Sequence, residues 1–285
     1  MIIKQLETKE EQISMTSMSA SSDAQNQQLE IFLNEKVVQN SDCFIMKEKE
    51  RVIARGVLAH SHLAFLTFED EVKQKDADNF IHYLLDSKTM ENIRVHLYSD
   101  KINYEVTYKS LEHNGFKVIQ TKKSHIIKPT KQDIKIEYAS LQNKKNDFIS
   151  LFEQVTKDNL DKDVLYDVEM FGVQEASKKM YDSLKETNFE ADLWLYGIVK
   201  QQVVGFVIIT RNDVDTAGIG YIGVLPQYRG NGYAKELLKM AIDVSYQKDV
   251  KELVADTDVE NTPMLNALLD VGFEISCMET VFTHK

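Results

Sequence analysis

The sequence predicts an α/β (α+β) protein built as two similar domains, and three observations carry that prediction. The order of strands and helices read from Cys43 to Ile127 recurs in the second half, and each copy has a helix ending at Gly-Phe (Gly115-Phe116 and Gly272-Phe273). The chain has 285 residues, room for two ordinary domains. A repeat of this size is a domain duplication, since solenoid periods run only ~20–50 residues. The third observation is local: Tyr221–Met240 reads as strand, glycine turn and helix in succession. The division expected is 1–130 and 131–285, with 128–133 as linker because it carries one of only three prolines.

In the first half, Met1–Leu6 is a short apolar strand candidate, and the Ser/Thr/Met/Gln-rich stretch to Gln28 reads as a helix or a loop. Ile31, Phe32, Val37 and Val38 mark a helix end with an apolar side. Cys43–Met46 and Val52–Ala59 form a hairpin about the charged turn Lys47–Arg51. Leu63–Phe68 is the next strand, followed by the acidic turn Glu69-Asp70-Glu71 and a helix through Phe80, Ile81, Leu84 and Leu85. Ile93–Tyr98 is a strand, Tyr104–His113 a helix, and Lys117–Ile127 a closing strand.

The second half opens with a strand at Ile134–Ala139 and a helix whose face carries Phe148, Leu151, Phe152 and Val155. The segment Thr156–Met170 is acidic, with Asp158, Asp161, Asp163, Asp167 and Glu169, and Gln174–Glu186 is a second helix. Leu193–Val199 and Val203–Thr210 form a hairpin, and Ile219–Leu225 is the strand before the glycine turn. Glu252–Thr257 and Phe273–Thr283 are the last two strands.

The glycine turn is where the chemistry concentrates. Pro226 ends the strand, since proline cannot donate to a ladder. Gly230 and Gly232 allow φ > 0 and close approach of a ligand to the backbone. Ala234, Leu237, Leu238, Ala241 and Ile242 then recur at helical spacing. A helix start exposes unpaired N–H groups at the positive end of a dipole, which suits phosphate oxygens, and Arg229 places a fixed positive charge beside it. The same residues also serve as plain turn chemistry. A P-loop would end in Gly-Lys-Ser/Thr, and a dinucleotide fingerprint would carry a third glycine and a ribose-binding acid; neither is present.

Val224, Pro226 and Gln227-x-x-Gly230-x-Gly232 resemble the acyl-CoA signature of the GNAT superfamily of N-acetyltransferases. The resemblance continues through Asn261 at the end of the next strand and Gly272-Phe273 after the next helix. It implies two GNAT-like domains, each a mixed, mostly antiparallel twisted sheet flanked by helices. It also implies acetyl-CoA as co-substrate, with the amides of Arg229, Gly230, Asn231, Gly232, Tyr233 and Ala234 on its pyrophosphate. Ile222, Gly223 and Val224 would pair with the pantetheine arm, and Asn261 would hydrogen-bond it, besides capping the helix ahead of Pro263. Most members finish with one more strand than this chain has room for, which leaves that place to another part of the protein. The first copy has an acidic turn without glycine where the second has Gly230 and Gly232, and carboxylates repel a pyrophosphate. The first domain is therefore expected to be a degenerate copy whose remaining roles are packing and shaping the substrate cleft.

Acetyl transfer to an amine also needs a base, because an alkylammonium has a pKa near ~10. Many relatives have a glutamate on the strand before the turn; here that strand reads Ala217-Gly218-Ile219-Gly220-Tyr221. Asp256, Asp258 and Glu169 are the substitute carboxylates, and Tyr221 is a candidate proton relay. Relatives often place an acid tyrosine seven residues after the asparagine; here that position is Leu268. The function expected is acetyl-CoA-dependent N-acylation of a primary amine on a small or peptidic acceptor, by direct attack in a ternary complex. The alternatives are a non-catalytic acyl-CoA-binding or scaffold protein, and transfer of larger acyl groups.

Composition sets outer bounds. Net charge is −11, which argues against nucleic acid as a generic partner. It is uneven: −2 over residues 1–130 and −9 over 131–285, so the half with the anion-binding turn is the acidic one. The surplus acid suits a cationic acceptor or simply a solvated surface. No apolar run reaches the ~18–20 residues of a membrane span, and the first residues do not read as a signal peptide. Cys43 and Cys277 lie far apart with no metal-type spacing. A cytoplasmic monomer or homodimer, without metal or membrane partner, is the expectation.

Overall fold

A computed structural model describes residues 1–88, 90–140, 145–156, 159–186 and 189–285. Asp158, named in the acidic segment, lies outside the described residues. The chain divides into two compact units, Met1–Thr121 with Met278–Lys285, and Lys122–Cys277.

The first unit contains β1 (Ile2–Gln5), α1 (Lys9–Met15), α2 (Asp23–Asn34), β2 (Cys43–Glu48), β3 (Arg51–Ala59), β4 (His62–Phe68), α3 (Gln74–Ser87), β5 (Ile93–Tyr98), α4 (Tyr104–His113) and the first residues of β6 (Lys117–Ile127). The stretch up to Gln28 is two helix starts with sequence-coded caps. Thr8 and Glu11 form a capping box on α1, and the Ser22 hydroxyl accepts the Gln25 N–H at the head of α2. Strands β1 to β4 pair antiparallel in sequence order, and β4 meets β5 in parallel at His62 and Arg94.

The second unit contains β7 (Glu137–Ser140), α5 (Lys145–Thr156), α6 (Lys162–Glu186), β8 (Trp194–Val199), β9 (Gln202–Arg211), β10 (Thr216–Val224), α7 (Tyr233–Gln247), β11 (Glu252–Asp258), α8 (Thr262–Asp270) and the start of β12 (Glu274–His284). Strands β7 to β10 are antiparallel neighbours, and β10 and β11 are parallel. Both units are thus mixed, mostly antiparallel sheets flanked by helices. The core of the second gathers Phe148, Trp194, Phe206 and Tyr181, closed by Leu237, Leu238, Ala241 and Ile242 of α7. Each fully buried leucine there contributes about 2 kcal/mol. Helix α6 is two helices joined at Gly172, where φ is 76°.

The units do not follow the linear division at residue 130. Within β6, residues from Lys122 onward belong to the second unit, where Lys122–Ile127 run antiparallel to Asp258–Leu253 of β11. The chain's last strand does the reverse, as Glu279–His284 pair with Tyr98–Ile93 of β5 in the first unit. The strand missing from the end of the second half is therefore supplied by residues that the linear reading assigned to the first. Phe282 shows that the return strand fills a core: it is fully buried and meets the Tyr108 ring at 5.0 Å.

Among the described residues no helix is long and apolar enough to cross a membrane. Among them no group of three or more His, Cys, Asp and Glu side chains is placed to hold a metal ion.

Candidate active site

The site begins with two strands that part. β10 and β11 pair only at Thr216–Glu252, Ala217–Leu253 and Gly218–Val254. A bulge between Ile219 and Tyr221 then shifts the β10 register, while β10 stays paired to β9 through Val224. The edge of Ile222–Val224 that faces away from β9 is left for something other than a strand. A cleft of about 650 Å³ opens there, walled by that edge, by the turn at Gly230 and Gly232, and by the head of α8 from Asn261.

The turn has the geometry that its glycines forecast. Gly230 and Gly232 have φ of 79° and 80°, in the left-handed region that costs other L-residues roughly 1–2 kcal/mol. No atom lies within 4 Å of where a Cβ would stand at either. The space beside them is open to a ligand. Gly232 is the N-cap of α7, and no side chain caps that helix. Its first N–H groups, from Tyr233 and Ala234, need an outside acceptor. The Asn231 amide donates to the Tyr228 and Arg229 carbonyls, 3.1 Å each, and so braces the turn from within.

Three residues of the turn behave differently from their sequence reading. The Arg229 guanidinium donates to the Val224 carbonyl at 3.2 Å and the Val155 carbonyl at 3.0 Å, which clamps β10 to α5. Its own N–H donates to the Pro226 carbonyl at 3.2 Å, so that amide already has a partner in the turn. Gln227 and Asn231 are exposed and lie off the cleft wall. Asn261 accepts the Met264 N–H at 3.3 Å and caps α8; this uses only its carbonyl oxygen and leaves Nδ2 as a donor at the cleft.

Beyond the waist formed by Asn159, Tyr221, Ile222, Asn261 and Met264, the cleft continues into a chamber of about 110 Å³. Asp161, Asp256 and Asp258 line it. Asp256 and Asp258 are two apart on one strand and so project from the same face. The Ser124 hydroxyl donates to Asp256 at 2.6 Å, and the Glu260 N–H to Asp258 at 2.8 Å. Asp258 is 1% exposed. Glu169 is excluded from this group: it is exposed on α6, and no residue of that helix lines either cavity. Leu268, 1% exposed, is part of the chamber wall.

Tyr221 joins the two cavities. Its ring meets Phe152 at 4.6 Å and stacks on Phe206 at 5.7 Å. Its hydroxyl accepts a hydrogen bond from Asn159 Nδ2 at 3.0 Å. Burial holds the phenol far above its ordinary pKa, against the pull of that hydrogen bond, so the group keeps its proton and can donate it.

Sequence reasoning passed over Asp161 and Asn159. The Asn159 side-chain oxygen accepts the Asp161 N–H at 2.8 Å, and Asp161 Oδ1 accepts the N–H groups of Asp163 at 2.9 Å and Val164 at 3.3 Å, capping α6. Burial raises the Asp161 carboxyl above the usual carboxylate range; Lys122 opposes and Asp163 adds to the shift. The signal was there to read, an Asp just before an apolar-periodic segment, which is an N-cap pattern.

Residues 162–273 match the profile of the acetyltransferase (GNAT) family. That stretch of the second unit is similar to the GNAT family. A 57-residue stretch is 42% identical to N-alpha-acetyltransferase 30 of Saccharomyces cerevisiae, covering 19% of this chain and 32% of that protein, so the match spans about a third of the yeast relative. The crystal structure of a GCN5-related N-acetyltransferase from Sphaerobacter thermophilus superposes with a TM-score of 0.69 over 99% of this chain and 95% of that one, at 12% identity. A tandem GNAT protein from the clavulanic acid biosynthesis pathway gives a TM-score of 0.51 at 10% identity, over 94% of this chain and 96% of that one. At these identities the two structures show a shared fold.

Proposed function

We propose that this chain transfers the acetyl group of acetyl-CoA to a primary amine of a small-molecule or peptidic acceptor, by direct attack within a ternary complex, and that the acceptor is cationic. The carrying observation is the parting of β10 and β11, with an uncapped helix start at its mouth and three carboxylates at its far end.

The residues fit the co-substrate. Open space beside two positive-φ glycines and the unclaimed amides of the α7 start suit a pyrophosphate. The free edge of Ile222–Val224 suits the amides of an extended arm. Acetyl-CoA supplies the thioester, whose carbonyl carbon is the electrophile. An N–H of the Ile222–Val224 edge polarises a carbonyl oxygen there, a kind of contact whose removal costs ~10²–10³ in rate. Asn261 Nδ2 orients the arm, and Tyr221 holds a proton at the waist between the cavities. Asp256 and Asp258 set a negative potential that attracts an ammonium. The first unit, in this reading, is a degenerate copy that binds no acyl-CoA.

The test is a CoA-release assay over a panel of small and peptidic amines, run beside calorimetric titration with acetyl-CoA. Saturable binding with amine-dependent release is expected; absence of binding overturns the proposal. One observation favours a second reading, an acyl-CoA-binding protein without turnover: Leu268 stands where relatives often carry an acid tyrosine. Binding with no release for any amine would select it.

A further inference from the structure

We propose that Asp161 is the carboxylate that takes the acceptor's proton, held in register with the reacting centre by Asn159. This rests on the transferase reading above and assigns its base.

Three carboxylates face the chamber, and their surroundings separate them. Asp256 is exposed and already accepts the Ser124 hydroxyl. Asp258 is buried at the end of β11 and shapes the turn into α8 through the Glu260 amide. Asp161 is the one that shares a hydrogen-bond neighbour with the Tyr221 hydroxyl: Asn159 accepts its N–H with one end of the amide and donates to the Tyr221 hydroxyl with the other. One rigid side chain therefore sets the spacing between a protonated phenol and a carboxylate. The α6 cap uses Asp161 Oδ1, and Oδ2 remains as the oxygen for a proton.

The charges around Asp161 come from several elements. Lys122 of β6 approaches it but also pairs with Asp163 at 2.7 Å. Lys162 beside it pairs with Glu260 at 2.8 Å. Asp163 on its own helix, and Asp256 and Asp258 across the chamber, add negative charge. Burial and Asp163 raise its proton affinity, and the nearby Lys122 and the cap amides keep it from rising without limit.

The step balances. The acceptor ammonium gives one proton to Asp161 Oδ2, which passes it to solvent. The freed nitrogen lone pair forms the C–N bond as the thioester C–S bond breaks. The second nitrogen proton is matched by the one that leaves on sulfur, with the Tyr221 hydroxyl as the group at the waist able to give one and take one.

Asp161→Asn is a clean probe, since Asn caps a helix about as well as Asp. The variant should keep its melting temperature and its acetyl-CoA affinity. Its kcat/KM near neutral pH should fall ~10²–10⁴-fold. The loss should shrink as pH approaches the amine's own pKa near ~10, where the amine no longer needs a base. Asp256→Asn and Asp258→Asn should raise KM for the amine more than they lower kcat, and Glu169→Gln should change nothing. An Asp161→Asn profile parallel to the wild type at all pH values overturns the assignment while leaving the transferase reading intact. Wild-type protein that binds acetyl-CoA but turns over no amine overturns the reading itself, and the assignment with it.

Discussion

The turn after β10 and the turn after β4 hold the same place in their units, between a strand and the helix that follows it, ahead of a parallel neighbour. Helices α3 and α7 both start without a side-chain cap, but in the second unit the turn carries two positive-φ glycines and a cleft opens beside them. In the first, Glu69 is buried and accepts the Ser19 N–H at 2.8 Å and its hydroxyl at 2.6 Å. Asn103 heads α4 as Asn261 heads α8, yet its amide donates to the Phe68 carbonyl at 3.1 Å, which ties the helix head to the end of β4. Gln74, in the first turn of α3, donates to the Val106 carbonyl at 3.1 Å and the Ser110 hydroxyl at 2.6 Å and so laces α3 to α4. The fold makes the parting of strands in both places; the side chains decide whether it is closed by protein hydrogen bonds or left for a ligand.

Five substitutions would break or sharpen that contrast. Phe282→Ala should cost the first unit about 3–5 kcal/mol, since it empties a fully buried aromatic site, and should leave acetyl-CoA affinity unchanged. Hydrogen exchange of α3 and β5 under urea would read the first part, and calorimetry the second. Gly232→Trp should weaken acetyl-CoA at least ~100-fold, about 2.7 kcal/mol, for a fold penalty of only ~1–2 kcal/mol. Its mirror in the first unit, Glu69→Gln, should lower the unfolding midpoint with no change in that affinity. Asn261→Ala and Asn103→Ala form a matched pair. The first removes a cap worth ~1 kcal/mol and the second a hydrogen bond of similar worth. Only Asn261→Ala should also weaken acetyl-CoA.

The smallest effect concerns pH. His125 is fully buried, its Nδ1 is 3.2 Å from the Ala255 carbonyl, and its Nε2 has no hydrogen-bond partner among the described residues. Burial holds its pKa below the ordinary value. The unfolded chain, titrating near ~6.5, binds that proton more readily than the folded one. Stability is therefore full above ~6.5 and falls as pH drops below it. Urea midpoints taken at about pH 8 and pH 5.5 should differ, and His125→Leu should reduce the difference.

Much of this was legible in the sequence, for reasons that can be named. Periodicity and Pro226 marked the strand, turn and helix around Gly230 and Gly232, because backbone conformation there is set by local residues. The reciprocal placement of Lys122–Ile127 and Glu279–His284 was not legible, since strand pattern shows that a segment pairs and not which sheet takes it. Arg229 read as a ligand-facing charge because sequence cannot show that two backbone carbonyls, at Val155 and Val224, claim its guanidinium. Among the acids of the Thr156–Met170 segment only burial and a shared neighbour single out Asp161 over Glu169, and both are tertiary facts.

The central claim is that the second unit alone holds the co-substrate, on the amides that open α7 and along the free edge of β10. Amide hydrogen exchange with and without CoA measures it residue by residue. Protection is predicted at Ile222–Val224 and across Gly230–Ala234, with none over Glu69–Ala77. Protection in the first unit's turn, or none anywhere between Ile222 and Ala234 while CoA is bound, would contradict the account.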